Sequence, residues 1–155
     1  MRTIIAIDPG ASGGIATLMD YSEKAWAVPM PDTEGDILHT IRAAFEGSIV
    51  QPVAFIEENT GYAGVKIPSH TMHKLGRNTG FILGVLAGLG IRTEMVGPKK
   101  WQATFGIGSK SGCASKTEWK NKLKAKAQQL YPHIKVTLST ADALLILDYA
   151  RKQQV

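Results

Sequence analysis

Three acids stand where a merely solvated charge would not be placed. Asp8 ends the apolar run "TIIAID", Glu57 follows "PVAFI" with Glu58 beside it, and Asp142 comes just ahead of "ALLIL". A carboxylate taken out of water is costly unless it is paired, hydrogen-bonded or bound to a metal, so acids that close buried-looking runs call for a partner. A hard divalent cation such as magnesium suits them, because it takes oxygen ligands from a few carboxylates and keeps positions open for water and phosphate. Two such ions about 4 Å apart activate a water and stabilise the leaving oxygen of a phosphodiester. Each acid also has a plainer reading. Asp8 precedes Pro9-Gly10 and would begin a turn. Glu57 and Glu58 would be a strand end meeting solvent. Asp142 completes Ser139-x-x-Asp142 ahead of an apolar run, the capping-box pattern, in which it would satisfy helix amides and oppose the dipole.

The cations gather elsewhere. Between Gly97 and Lys135 lie nine lysines against one acid, Glu118, a net +8, so a chain of net +5 carries −3 over its other residues. A lysine run can be a solvated helix face. Confinement of the positive charge to one segment also suits a polyanion, because clustered cations displace the counterions condensed on a phosphate backbone.

The elements that must position these groups follow from periodicity. Residues 3–8, 14–19 and 25–28 read as three short strands separated by the turn-rich "PGASGG" and "DYSEK", an antiparallel meander. Ile37, Leu38, Ile41, Ala44 and Phe45 fall on one helical face, and "PVAFIEEN" is a fourth strand. Residues 67–89 hold a long helical pattern in which Gly76, Gly80, Gly84 and Gly88 recur every fourth position. That stripe offers a groove for close packing of another helix. "IRTEMV" is a fifth strand, residues 117–130 a lysine-rich helix stopped by Pro132, and residues 141–152 a last helix. The order is α/β, with strands four and five joined through a helix and so parallel.

Length and composition set the frame. At 155 residues the chain fits one domain, 1–155, with a single substantial core. Its 44% apolar and 20% charged content is globular, and no apolar run approaches the roughly 18 to 20 residues of a membrane span. One cysteine, Cys113, and no basic-then-apolar leader lead us to expect a reducing, cytoplasmic setting.

On these residues the chain resembles the RuvC-type Holliday-junction resolvases of the RNase H-like nuclease superfamily, in particular the short versions encoded by bacteriophages. "IDPGASGGIA" resembles the family's opening strand and turn, "FIEEN" its second acidic strand, and "TADALLILDYA" its final catalytic helix. "HTMHKLGRNTGFILGVLAGLGI" with "EMVGPKKWQATFGI" is similar to its long central helix and following strand, and "ASKTEWKNKLKAKAQQLYP" to its lysine-bearing helix. The resemblance implies an RNase H-like fold, a five-stranded mixed sheet of order 3-2-1-4-5 flanked by helices. It implies a magnesium-dependent endonuclease, with manganese as a substitute, acting as a homodimer that nicks opposite strands of a four-way junction in a bacterial or phage-infected cell.

Carried over, the family's metal-binding acids fall on Asp8, Glu57 and Asp142, and Lys116 matches a lysine close to the scissile phosphate. Where the family has a further acid or histidine one turn before the last aspartate, this chain has Ser139, a poor metal ligand beside a carboxylate. Glu58 is the expected substitute; Asp148, six residues on from Asp142, points elsewhere on the helix. DNA contacts are expected from Tyr62 and Lys66 in "NTGYAGVK" and from Lys110, Lys116 and Lys120. Tyr62 would stack on an unpaired base or be a plain loop tyrosine. The rival reading is a branched-DNA binding protein with weak or lost nuclease activity, motivated by Ser139.

Overall fold

The computed structural model describes residues 2–22, 24–59 and 67–153. Five strands, β1 (Ile4–Asp8), β2 (Gly14–Leu18), β3 (Ala25–Pro29), β4 (Val53–Glu57) and β5 (Arg92–Val96), form one sheet of order β3-β2-β1-β4-β5. β2 is antiparallel to β1 and β3, while β4 runs parallel to both β1 and β5. The meander and the parallel pair expected from the sequence are both present. β1 and β4 are central, which is why their apolar runs are continuous rather than alternating with polar residues.

Among the described residues five α-helices cover the sheet: α1 (Glu34–Ala43), α2 (Ser69–Gly88), α3 (Pro98–Gln102), α4 (Lys116–Leu130) and α5 (Leu138–Gln153). The period of two in the strands divides the core. Ile5, Ile7, Ala54 and Ile56 face the layer holding Ile37 and Ile41 of α1 and Ile82 and Leu86 of α2. Ile4, Ala6, Val53 and Phe55 face the other layer, with Trp101, Trp119, Leu123 and most of α5. α5 is buried without a break from Thr140 to Ala150, so it is an interior helix rather than an amphipathic one.

Local chemistry accounts for two helix starts that come three residues ahead of the sequence expectation. α1 begins at Glu34 rather than Ile37, because the Thr33 hydroxyl accepts from the Asp36 N–H at 3.1 Å and two acids oppose the dipole in its first turn. α5 begins at Leu138, three residues earlier than expected. The Thr137 N–H donates to Thr140 Oγ1 at 3.0 Å and the Thr140 N–H to Thr137 Oγ1 at 3.3 Å, a reciprocal cap. The capping box read from Ser139 and Asp142 is therefore corrected: both residues lie inside the helix.

The glycine stripe of α2 is also clarified. A Cβ added at Gly76, Gly80, Gly84 or Gly88 would meet nothing within 4 Å, so the stripe packs against no element of its own subunit among the described residues. No described helix is long and apolar enough to cross a membrane.

Candidate active site

Strand parity aims two of the three acids. Asp8 follows Ile4 and Ala6, and Glu57 follows Val53 and Phe55, on the sheet face covered by α5. The parallel register pairs Ile7 with Ile56. One residue further on, Asp8 and Glu57 lie at matching positions on neighbouring strands, whose spacing is about 4.8 Å. Glu58 has the opposite parity; it is exposed, and its N–H bonds to Val96 O at 2.9 Å.

Glycine lets the third acid approach. Gly14 pairs with Asp8 across β1 and β2, and a Cβ there would come within 2.6 Å of Ser139 O and 2.9 Å of Val28 O. The first turn of α5 thus rests on bare strand backbone beside Asp8. Gly13 is equally confined: its Cβ would fall 2.0 Å from Asp8 O. From α2, Asn78 Oδ1 accepts the Gly10 N–H at 2.8 Å and pins the turn that follows Asp8.

Asp142 is 4% exposed, and its Oδ2 accepts from Lys120 Nζ of α4. Its Oδ1 is buried without a hydrogen-bond partner. Glu57 Oε2 accepts the indole N–H of Trp101 in α3 at 2.9 Å. Burial pushes the Asp8 carboxyl well above the usual carboxylate range, and the negative charges of Glu57 and then Asp142 push it further, against Lys120. Burial raises Glu57 as well; the Trp101 hydrogen bond opposes this, Asp142 adds to it, and Lys120 opposes it. Burial alone would lower Lys120, but Asp142, by charge and hydrogen bond, and then Asp8 and Glu57, outweigh it and hold the ammonium protonated. Groups from β1, β4, α4 and α5 therefore form one electrostatic cluster.

The donor set suits a hard cation in kind: the three carboxylates act on one another electrostatically, and one buried oxygen of Asp142 lacks a partner. Among the described residues, however, no three His, Cys, Asp or Glu side chains form a group that could hold a metal ion as it stands. Lys120 contributes positive charge to this arrangement through its contact with Asp142.

The other expected residues are placed as follows. Lys116 is the exposed first residue of α4, one turn before Lys120, and Lys110 is exposed in the short turn Lys110–Gly112. Tyr62 and Lys66 lie outside the described residues. Ser139 is half-buried, with its carbonyl against Gly14. Asp148, 1% exposed, is engaged by Arg151 at 3.1 Å and Lys152 at 2.7 Å. Sequence reasoning missed Trp101, which has no local signal linking it to Glu57, and gave Lys120 only a DNA contact. The available signal for Lys120 was its four-residue spacing from Lys116, which puts both on one helix face.

No protein-family model and no curated protein matches the sequence. Among solved structures, Thermus thermophilus RuvC in complex with a Holliday junction substrate is similar, with a TM-score of 0.66 and 17% identity, covering 99% of this chain and 97% of that one. A second structure of Thermus thermophilus RuvC gives 0.58 at 17% identity, covering 98% and 97%. The likeness extends across both chains nearly end to end, and with the 3-2-1-4-5 sheet it shows that this chain has the RuvC-type, RNase H-like fold.

Proposed function

We propose that this protein is a magnesium-dependent endonuclease that resolves four-way and other branched DNA, working as a homodimer that makes paired nicks. The observation that carries this reading is the convergence of Asp8, Glu57 and Asp142 from two strand ends and a buried helix, with Asp142 Oδ1 left without a partner. Asp8, Glu57 and Asp142 would hold the ions, while Glu58, exposed and of opposite strand parity, would stand outside the ligand set. Magnesium, when bound there, supplies the Lewis acidity that activates water and relieves charge on a leaving oxygen.

The chain's own residues do the rest. Trp101 fixes one oxygen of Glu57, so that the other is presented in a constant orientation. Lys116 stands at the exposed start of α4 and steadies charge on the phosphate, while Lys110 and the remaining lysines of α4 follow the backbone of the bound strand. The open glycine face of α2 suits close approach of a second copy by two-fold symmetry. A similar protein of the same fold is described in complex with a Holliday junction, which supports the substrate class.

The test is cleavage of a synthetic four-way junction in magnesium, with Asp8→Asn as the control. Cutting by the parent and none by the variant is expected; equal cutting removes the proposed site. One observation favours a second reading, a junction-binding protein with weak or lost chemistry: Ser139 offers a hydroxyl where a further acid or imidazole would complete the ligand set. That reading expects salt-sensitive junction binding with no cutting in magnesium or manganese.

A further inference from the structure

We propose that Lys120 is a resident counter-ion of the carboxylate cluster, a tethered ammonium that occupies the cation's place in the metal-free protein and must be displaced when a divalent ion enters. The inference rests on the metal-site reading above and concerns how that site is regulated. Three carboxylates folded together without compensation repel one another and lose hydration, a cost that grows as the surroundings dry. Here the compensation comes from within the chain: Lys120 Nζ bonds Asp142 Oδ2, while Asp8 and Glu57 lie within its electrostatic reach.

The choice of residue fits a displaceable group. Lysine carries a compact charge on a flexible four-carbon stem, whereas an arginine fork would lock onto the carboxylate through two bonds. The Lys120 side chain is 37% exposed, against 5% for Asp142, so its stem has open solvent into which to withdraw. With Lys120 engaged, the three carboxylates and one ammonium carry two formal negative charges; with Lys120 withdrawn they carry three. Metal entry and lysine exit are thus coupled, and the lysine sets a threshold of metal concentration below which its own charge is the cluster's partial compensation.

Titrating manganese by calorimetry into the metal-free full chain, into Lys120→Met and into Asp8→Asn tests this. Lys120→Met is expected to bind on the order of tenfold more tightly than the parent, because a cation within a few ångströms has been removed. Equal or weaker binding by Lys120→Met, with binding by the parent that Asp8→Asn abolishes, overturns the counter-ion role and leaves the metal site standing. No manganese binding by any of the three chains removes the site and the counter-ion role together. A second measurement needs no variant to fold beyond one used for assignment. Nitrogen-15 NMR of the lysine ammonium groups, with Lys120→Arg identifying the signal, is expected to show the Lys120 resonance shifted on saturation with magnesium. An unmoved resonance in the saturated protein overturns the proposal.

Discussion

Trp101 is fully buried and donates its indole N–H to Glu57 Oε2 at 2.9 Å. The ring of one residue in the short helix after β5 thus sets the orientation of an acid at the end of β4. Its edge-to-face contact with Phe105, at 6.4 Å between ring centroids, holds the indole in turn.

Trp101→Phe keeps an aromatic in the core but removes the donor. A hydrogen bond to a charged acceptor is worth about 1.5–3 kcal/mol, so a stability loss of about 2 kcal/mol is expected by chemical denaturation. Manganese affinity should fall on the order of tenfold, as it does when groups supporting a metal ligand are removed. An unchanged affinity would show that the orientation of Glu57 does not matter to the ion.

Asp8 gives the protein a pH dependence of stability whose sign follows from its environment. Its carboxyl in the folded chain titrates above its ordinary value of 3.8, so the native state binds that proton more tightly than the unfolded state does. The stability contributed by the protonated form is present below that ordinary value and is lost as pH rises through the folded one. Asp8→Asn, which cannot ionise, is therefore expected to melt above the parent at pH 7 without metal, with the gap closing toward pH 4. A constant gap across that range would contradict the burial of this carboxyl.

Gly14→Ala drives a methyl into two backbone carbonyls, Ser139 O at 2.6 Å and Val28 O at 2.9 Å. Backbone cannot swing aside as a side chain can, so a loss of about 2–3 kcal/mol is expected. Metal affinity should fall with it, since α5 carries Asp142. Gly80→Ala is the matched control: its new methyl meets nothing within 4 Å, and the helix gains about 1 kcal/mol of propensity.

Gly80→Glu tests the proposed dimer. In the isolated subunit the position is open, so thermal stability of the monomer should not fall. In a symmetric pair the two new carboxylates would be forced together, and sedimentation is expected to show a monomer where the parent is a dimer. A parent chain that sediments as a monomer at micromolar concentration would remove the paired-nick geometry.

Much of this arrangement was legible in the sequence, because it depends on alternation within short runs. The acids that close "IIAID" and "VAFIE" stood out in the sequence, but the strand parity that turns Glu58 away was not applied there, and Glu58 was expected among the ligands. What was not legible depended on docking. Thr137-x-x-Thr140 and Ser139-x-x-Asp142 are overlapping candidates for one helix start, and only the packing of α5 on Gly14 and β2 selects the first. Lys116 and Lys120 share a helix face, so which of them reaches Asp142 is set by how far α4 slides along α5. The glycine spacing on α2 announced a groove, but not that the groove would face outward.

Asp8 lies on the first strand of the chain and Asp142 on the last helix, with the whole sheet made between them. A ribosome has to release α5 before the third carboxylate can meet the other two, so the cluster cannot assemble on a nascent chain whose last helix is still in the exit tunnel. A protease cut ahead of Leu138 has the same effect from the other side. The fragment it leaves has lost the helix that covers one face of the sheet, and the cell's quality-control machinery would meet it as sticky debris.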